Sequence, residues 1–194
     1  SFEPDIVIQA TGGTMIWPWT LPKEWQQEGF ILDLRETVAG LISHPAKQSG
    51  TAIIFDADGL DGTYSSAEFF SAIFDRVVLV TERESIARDE PVVRSQSIYR
   101  RMYERGIEII TMSLPSENSD FENGLFLYKN VVNGIEQTIE NVMLFTYSTQ
   151  RVPDNSLFVP LSIAGKKVYQ IGDCYAPRTA MIAIQEGHRI GENI

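Results

Sequence analysis

Residues 52–82 read AIIFDADGLDGTYSSAEFFSAIFDRVVLVTE. Ala52 to Phe55 is an apolar run of strand length, and Asp56 to Gly62 is a loop holding two glycines. Ser65 to Phe74 has the pattern of an amphipathic helix, and Val77 to Thr81 is a second apolar, β-branched run closed by Glu82. In that order these segments make a βαβ crossover, the repeating unit of parallel sheets. The alternation continues outward in both directions. On the N-terminal side, Leu32 to Ile42 sets Leu34, Val38, Leu41 and Ile42 on a helical stripe, with Pro45 as its stop. On the C-terminal side, Val92 to Arg105 predicts a helix ended by Gly106, followed by a strand at 107–112. The chain as a whole therefore predicts an α/β fold, a Rossmann-like parallel sheet with helices on both faces.

The predicted helix at 92–105 has a basic face of Arg94, Arg100, Arg101 and Arg105. Such a face is able to seat phosphates, but a solvated surface is the plainer reading of a charge run. Segments 125–132 and 135–142 flank Asn133-Gly134, a pair with the φ > 0 preference of a two-residue type I′ turn, which predicts an antiparallel hairpin. Leu144 to Tyr147 predicts a further strand, and Arg151 to Asn155 a loop. Near the start, Asp5 to Gln9 reads as a buried strand ending in Ala10-Thr11-Gly12-Gly13, followed by an irregular Pro- and Trp-rich stretch from Ile16 to Trp25. The last segment is a strand, Lys167 to Ile171, then Gly172-Asp173, then a helix from about Arg178 to the end. These breaks divide the chain into expected regions 1–21, 22–150 and 151–194.

Composition narrows the function classes. With 194 residues and 43% hydrophobic content the chain is able to bury a sizeable core. A formal net charge of -10, with no Lys/Arg stripe to offset it, repels a phosphate backbone and excludes nucleic acid as a partner. No run approaches the roughly 18 apolar residues needed to span a bilayer, and one cysteine, Cys174, forms no internal disulfide. No membrane association is expected, and cytoplasm is the expected compartment. The chain opens without Met and enters the apolar run Ile6-Val7-Ile8 almost at once, so the expectation is a piece of a larger protein.

Chemistry concentrates at the Gly172-Asp173 step, where a buried strand passes toward a helix. A helix N-terminus presents free N–H groups and partial positive charge to an anion, so a pyrophosphate or an electron-rich flavin edge suits it. Gly172 permits close backbone approach, and the Asp173 carboxylate is able to accept hydrogen bonds from sugar or ribitol hydroxyls. A simple turn with Asp173 capping the helix is the alternative for an isolated Gly-Asp.

The surrounding residues are more specific. Ile171-Gly-Asp-Cys-Tyr-Ala-Pro-Arg178, followed by Glu186-Gly-His-Arg-Ile-Gly191, resembles the closing FAD-domain motif of the trimethylamine dehydrogenase and 2,4-dienoyl-CoA reductase family of NADH:flavin oxidoreductases. Asp5 to Gly13 resembles the segment where such flavoproteins leave the FAD-type domain for an inserted pyridine-nucleotide-type domain, and 144–157, with Thr149, Arg151 and Pro153, is similar to the return. The resemblance spans nearly the whole chain and is stronger at its ends. It implies a parent with an N-terminal TIM barrel carrying FMN and an iron-sulfur cluster, neither of which belongs to these residues. It further implies that 22–150 is the inserted domain and that the flanks are stubs of a split domain holding FAD or ADP. The cofactor-binding residues it implies are Ala10, Thr11, Gly12, Gly13, Gly172, Asp173, Ala176, Pro177 and Arg178. Substrate oxidation belongs to the barrel, so no catalytic residue is assigned here. The implied partners are the rest of the parent chain and a separate electron-transfer flavoprotein; homo-oligomerisation is the further expectation, because stub strands expose open edges.

Within the inserted region, the dinucleotide fingerprint would put three glycines after the first strand. The corresponding positions are Asp56, Asp58 and Asp61, with Gly59 and Gly62 nearby. At about 4 Å each carboxylate-phosphate pair costs about 1 kcal/mol even in a water-like dielectric. NAD(P) binding is therefore disfavoured, and Asp61 or Thr63 is expected as the helix N-cap. A divalent cation at Asp56 and Asp58, or ligand entry after protonation and loop rearrangement, are the minor alternatives. Glu82 stands where an adenosine-ribose acid would be and reads as ancestry or a surface acid. Dienoyl-CoA reductases need NADPH while trimethylamine dehydrogenase-like members pass electrons to a flavoprotein, so the acidic loop favours the latter side. A non-catalytic docking module is the rival reading, and a free-standing NAD(P)H reductase is disfavoured by the missing first fingerprint. His44 and His188 lack neighbouring ligands for a metal site, Cys174 reads as a buried filler, and Trp17, Trp19 and Trp25 as packing over a junction.

Overall fold

The computed structural model describes residues 3–44 and 46–194, so the expected stop at Pro45 lies outside the described residues. The backbone divides into two compact units, one of residues up to Ile16 together with 150–194, the other of 17–149. In chain order the first unit begins with β1 (Ile6–Gln9) and β2 (Gly13–Met15). The second unit holds α1 (Lys23–Glu28), α2 (Leu34–Ser43), β3 (Gln48–Asp56), α3 (Asp61–Ser71), β4 (Phe74–Val80), α4 (Val92–Glu104), β5 (Glu108–Ile110) and β6 (Ser113–Pro115). It continues through a 3-10 turn (Phe121–Asn123), β7 (Phe126–Asn130), β8 (Glu136–Ile139) and β9 (Val142–Ser148). The chain returns to the first unit with β10 (Arg151–Pro153), α5 (Phe158–Ile163), β11 (Lys167–Gln170), a 3-10 turn (Gly172–Cys174) and α6 (Ala180–Gly191). Among the described residues no helix is long and apolar enough to cross a membrane.

The second unit is α/β, with a four-stranded sheet in the order β5-β4-β3-β9, every pairing parallel, and a separate antiparallel sheet in the order β6-β7-β8. Ala52, Ile53, Ile54, Phe55, Val78, Leu79 and Val80 are fully buried, as expected where both faces of a parallel sheet are covered. The register sets what covers each face. Ile53 lies beside Phe145 and Phe55 beside Tyr147, so these alternate residues share a face. That face meets Phe126, Phe121, Trp17 and Trp19 through ring contacts. The opposite face carries Thr146, bonded to Thr37 of α2 at 3.1 Å, and Ser148, bonded to Thr63 of α3 at 2.8 Å. Helices thus reach both sides unequally: α2 and α3 cover one, while the six-residue α1 reaches the other through Trp25 against Phe121.

Several expectations need correcting. The helix expected from Ser65 to Phe74 begins a turn earlier at Asp61 and ends at Ser71, and Phe74 opens β4 instead. Leu60 takes the N-cap position, without a side-chain bond, so neither Asp61 nor Thr63 is the cap. The hairpin exists, with β7 antiparallel to β8, but its turn is not type I′. Among the turn's residues only Gly134 has positive φ (+72°), and the loop is wound around Asn130, whose side chain accepts from the amides of Val132 and Asn133. The basic face of α4 is solvated as expected at Arg94, Arg100 and Arg105, which are exposed, Arg94 and Arg100 pairing with Glu90 and Glu104 at the surface; only Arg101 departs from it, bonding Asp61 at 2.7 Å and Glu68 at 2.6 Å.

In the first unit β1 runs parallel to β11, with Val7 beside Val168, and β2 runs antiparallel to β10, with Thr14 beside Val152. Arg151 to Pro153 is therefore strand and not loop, because β2 supplies a hydrogen-bonding partner far away in sequence. Cys174 is fully buried, its thiol 3.0 Å from the Gln9 carbonyl, in keeping with a small filler.

Candidate functional site

Two junctions between strand and following segment carry the candidate residues, one in each unit. In the first unit the register of β1 and β11 puts Gln9 beside Gln170, so 10–13 and 171–178 leave the sheet from the same end. The Gln9 side-chain amide donates to the Thr11 hydroxyl and to the Asp154 carbonyl, both at 3.0 Å, and the Thr11 hydroxyl donates to that carbonyl as well. Asp154 N–H returns a bond to the Gly12 carbonyl at 3.0 Å. The turn at Ala10 to Gly13 is thereby tied to the segment after β10. A Cβ at Gly13 would lie 2.7 Å from the Val152 carbonyl oxygen, so only glycine fits beneath β10. At Gly12, with φ +82°, the space a side chain would fill is open.

Gly172 has φ +64° and opens the 3-10 turn. Its N–H does not point to a free space: it donates to the Glu186 carboxylate of α6 at 2.7 Å. The other oxygen of Glu186 is bonded by the Arg178 guanidinium. Asp173 is bonded by the Arg151 guanidinium and accepts the Arg178 N–H at 3.2 Å. Two acids and two arginines so alternate around the step. The expectation that Gly172-Asp173 sits at a helix N-terminus is corrected, since α6 begins at Ala180 and Thr179 is its cap, accepting from Ile182 N–H. Ala176 and Pro177 lie in the loop before it, and Asp173 caps no helix.

In the second unit, the residues after β3 are drawn into themselves. Asp56 is buried and accepts from Gly59 N–H and from the Tyr64 hydroxyl, each at 2.9 Å. Tyr64 in turn accepts Ala87 N–H at 2.6 Å. Asp58 accepts from Leu60 N–H and the Thr63 hydroxyl, both at 3.0 Å, and from the Ser148 hydroxyl at 2.8 Å. The Ser148 carbonyl takes the N–H groups of Ala57 and Asp58. Amides 57, 58, 59 and 60, those a phosphate cradle would aim at its anion, are all engaged internally. Burial pushes the Asp56 carboxyl up to about 6, the Asp58 charge adding to the effect while the Gly59 amide, the Tyr64 hydroxyl and Arg83 oppose it. Burial first, and the Asp56 charge second, push the Tyr64 phenol well above its ordinary range. Among the described residues no group of three or more His, Cys, Asp or Glu side chains is arranged to hold a metal ion.

No family model and no curated protein sequence matches the chain. Among solved structures it is similar to histamine dehydrogenase from Rhizobium sp. 4-9, with TM-score 0.77 and 19% identity, covering 98% of this chain and 30% of that one. It is similar also to 2-naphthoyl-CoA reductase in complex with 2-naphthoyl-CoA, with TM-score 0.78 and 20% identity over 98% of this chain and 27% of that one. The thioredoxin reductase of Lactococcus lactis follows at TM-score 0.70 and 17% identity, over 97% and 63%. The likeness is one of fold. The chain spans less than two thirds of the length of each of these oxidoreductases.

Of the residues expected to bind a cofactor, the parallel pair brings Ala10 to Gly13 and Gly172 to Arg178 to one end of β1 and β11. Sequence reasoning missed Glu186, Arg151 and Asp154 as their partners, and Tyr64 and Ser148 as partners of the acidic loop. Glu186 stood within the quoted Glu-Gly-His-Arg-Ile-Gly stretch, but nothing in its spacing from Gly172 foretells a backbone contact across 14 positions. His188 is exposed and faces Glu192 on the next helical turn at 3.2 Å.

Proposed function

We propose that this chain is the C-terminal nucleotide-binding portion of a flavin-dependent oxidoreductase resembling trimethylamine dehydrogenase. In this reading the first unit is part of a split FAD-type domain holding FAD or ADP, and the second is an inserted NAD-type domain that has lost its dinucleotide site. The parent carries FMN and an iron-sulfur cluster in a barrel outside these residues, oxidises an amine-type substrate there, and passes electrons to an electron-transfer flavoprotein. Cytoplasmic location and self-association belong to the same proposal. The observation that carries it is the convergence of 10–13 and 171–178 at one end of β1 and β11, within a fold of oxidoreductases.

The residues present fit the sugar part of such a ligand better than its phosphates. Asp173 uses two of its roughly four acceptor sites, on Arg151 and Arg178 N–H, and so keeps capacity for ribose or ribitol hydroxyls. Open space over Gly12 suits a ligand lying on the turn. Gly172 N–H, in contrast, is held by Glu186 and reaches a phosphate only if that carboxylate is displaced. When bound, the flavin or adenine nucleotide supplies an electron path or a structural brace; these side chains bind and orient it.

A second reading is favoured by the acidic loop: a degenerate Rossmann module kept to dock a subunit or an electron-transfer partner. Calorimetric titration of the chain with NADH, NADPH, ADP and FAD in turn separates the two. Expected is binding of ADP or FAD and none of NADH or NADPH. Micromolar NADH or NADPH binding overturns the lost-site reading and moves the parent toward NAD(P)H-dependent enoyl reductases; no binding of any of the four leaves the docking module as the better account.

A further inference from the structure

Away from both junctions, the second unit carries an aromatic pocket. Trp25 in the middle of α1, Phe30 in the segment after it, and Phe121 in the 3-10 turn have ring centroids 5.6, 6.1 and 6.3 Å apart. Their planes meet at 58 to 75°, so the rings form inclined walls and not a stack. A cavity of about 510 Å³ is lined by these three rings with Glu28, Ser119, Asp120 and Glu122. That size falls within the range of small-ligand sites, about 300–1,000 Å³. Phe121 is held from behind by Phe126 and Phe145, at 6.3 and 5.2 Å, so one wall is fixed by the core. Phe30, in contrast, is 50% exposed, more than packing of a large ring requires.

The charge around the cavity has one sign. Every ionisable side chain lining it is acidic, and among the described residues none of the three acids has a cationic side chain within 4 Å. Asp120 bonds Asn123 through its amides, at 3.2 Å for the backbone and 2.7 Å for the side chain, leaving Glu28 and Glu122 to set the potential of the mouth. Aromatic faces carry negative electrostatic potential, and an acidic rim adds to it. Anions are repelled. A small inorganic cation keeps its tightly held water and makes poor contact with rings. A neutral apolar molecule gains nothing from the rim. A methylated ammonium group combines weak hydration, an apolar surface and a positive charge.

We propose that the pocket of Trp25, Phe30 and Phe121 binds the methylated-ammonium group of an organic cation, with Glu28 and Glu122 at its mouth. This site is independent of what the first unit binds. The group comes either from a free small molecule or from a methylated side chain of another protein, and the shared chemistry is the same.

The test is titration of the full chain with tetramethylammonium and choline, against 3,3-dimethylbutanol as choline's neutral isostere, followed by nuclear magnetic resonance of the Trp25 indole. The cations are expected to shift the Trp25 resonance saturably and to bind at least about five-fold more tightly than the isostere, the ratio of one cation–π contact. Trp25→Leu abolishes binding, and Glu122→Gln, which leaves the rings in place, weakens it about three-fold while keeping the melting temperature. A trimethyllysine peptide that binds more tightly than free tetramethylammonium assigns the group to a protein; equal affinity assigns it to a small molecule. Equal binding of cation and isostere, absence of saturable shifts, or binding unchanged in a folded Glu122→Gln or Phe30→Leu variant overturns the proposal.

Discussion

The junction after β3 and the junction after β11 start from the same plan, a parallel-paired strand passing into a loop that holds glycine and aspartate, and arrive at opposite states. After β3 the carboxylates turn inward. Asp56 is about 1% exposed, and the donors around it and Asp58 come from the loop's own amides, Thr63, Tyr64 and Ser148. After β11 the acid Asp173 keeps a fifth of its side chain in solvent and is balanced by long arginines. The difference teaches that what a loop of glycines and aspartates offers a ligand depends less on the charge of its aspartates than on what those aspartates bond. Asp56 and Asp58 take the amides of Gly59 and Leu60, and the Ser148 carbonyl takes those of Ala57 and Asp58, because a withdrawn polar group without a partner is costly.

The strongest way to break this comparison is Tyr64→Phe. It leaves the buried Ala87 N–H without its acceptor and Asp56 without one donor, at about 2 kcal/mol each, so a loss near ~4 kcal/mol in a urea melt is expected. A loss below about 1 kcal/mol would mean the inward bonding of the loop is not what holds it.

Second in size is a pH effect. The Asp56 pKa is raised from 3.8 to about 6 by burial, so the folded state holds its proton more tightly than the unfolded chain. Stability from this group is complete below about pH 4 and is lost as pH rises through about 6, by about 3 kcal/mol in all. Asp56→Asn should remove that slope. Melts of both proteins between pH 4 and 8 check it, and parallel curves would contradict the burial argument.

In the outer junction the effects are smaller. Arg151→Met strips Asp173 of its arginine, at about 2 kcal/mol for a pair only partly withdrawn from water, and is read in the same melts. Glu186→Gln removes a charge near Gly172 while keeping a bond acceptor. ADP should then bind about five-fold more tightly, read by calorimetry, as one like-charge contact of about 1 kcal/mol is relieved. Unchanged affinity would place the phosphates away from Gly172.

The legibility of the chain varied with the range of the interactions. The strands expected at 5–9, 52–55, 77–81, 144–147 and 167–171 form, the largest displacement being the start of β3 at Gln48; the expected burial holds in β3, β4 and β9 but not in the pair β1 and β11, where Ile8 is exposed and no residue of β11 is buried. The helix over 92–105 also ends where Gly106 predicts, with Ile107 N–H bonded to the Met102 carbonyl at 2.9 Å. Failures cluster where a distant group intervenes. The Asn133-Gly134 turn was read from two residues, but the Asn130 side chain organises a wider loop. Residues 151–153 looked irregular because their strand partner lies at 13–15. The last helix begins at Ala180, two residues after the expected Arg178, with Thr179 as its cap.

The sequence by itself determined the alternation of strands and helices, the parallel character of the sheet and the acidity of the loop after β3, since these follow from local apolar periodicity and residue type. Tertiary structure alone decided which donor answers each carboxylate: Ser148 and Tyr64 for the inner aspartates, Arg151 for Asp173, the Gly172 amide for Glu186. Such pairings depend on strand register and on helix placement, which set distances of a few ångströms between residues far apart in the chain, and a linear pattern carries no measure of those distances.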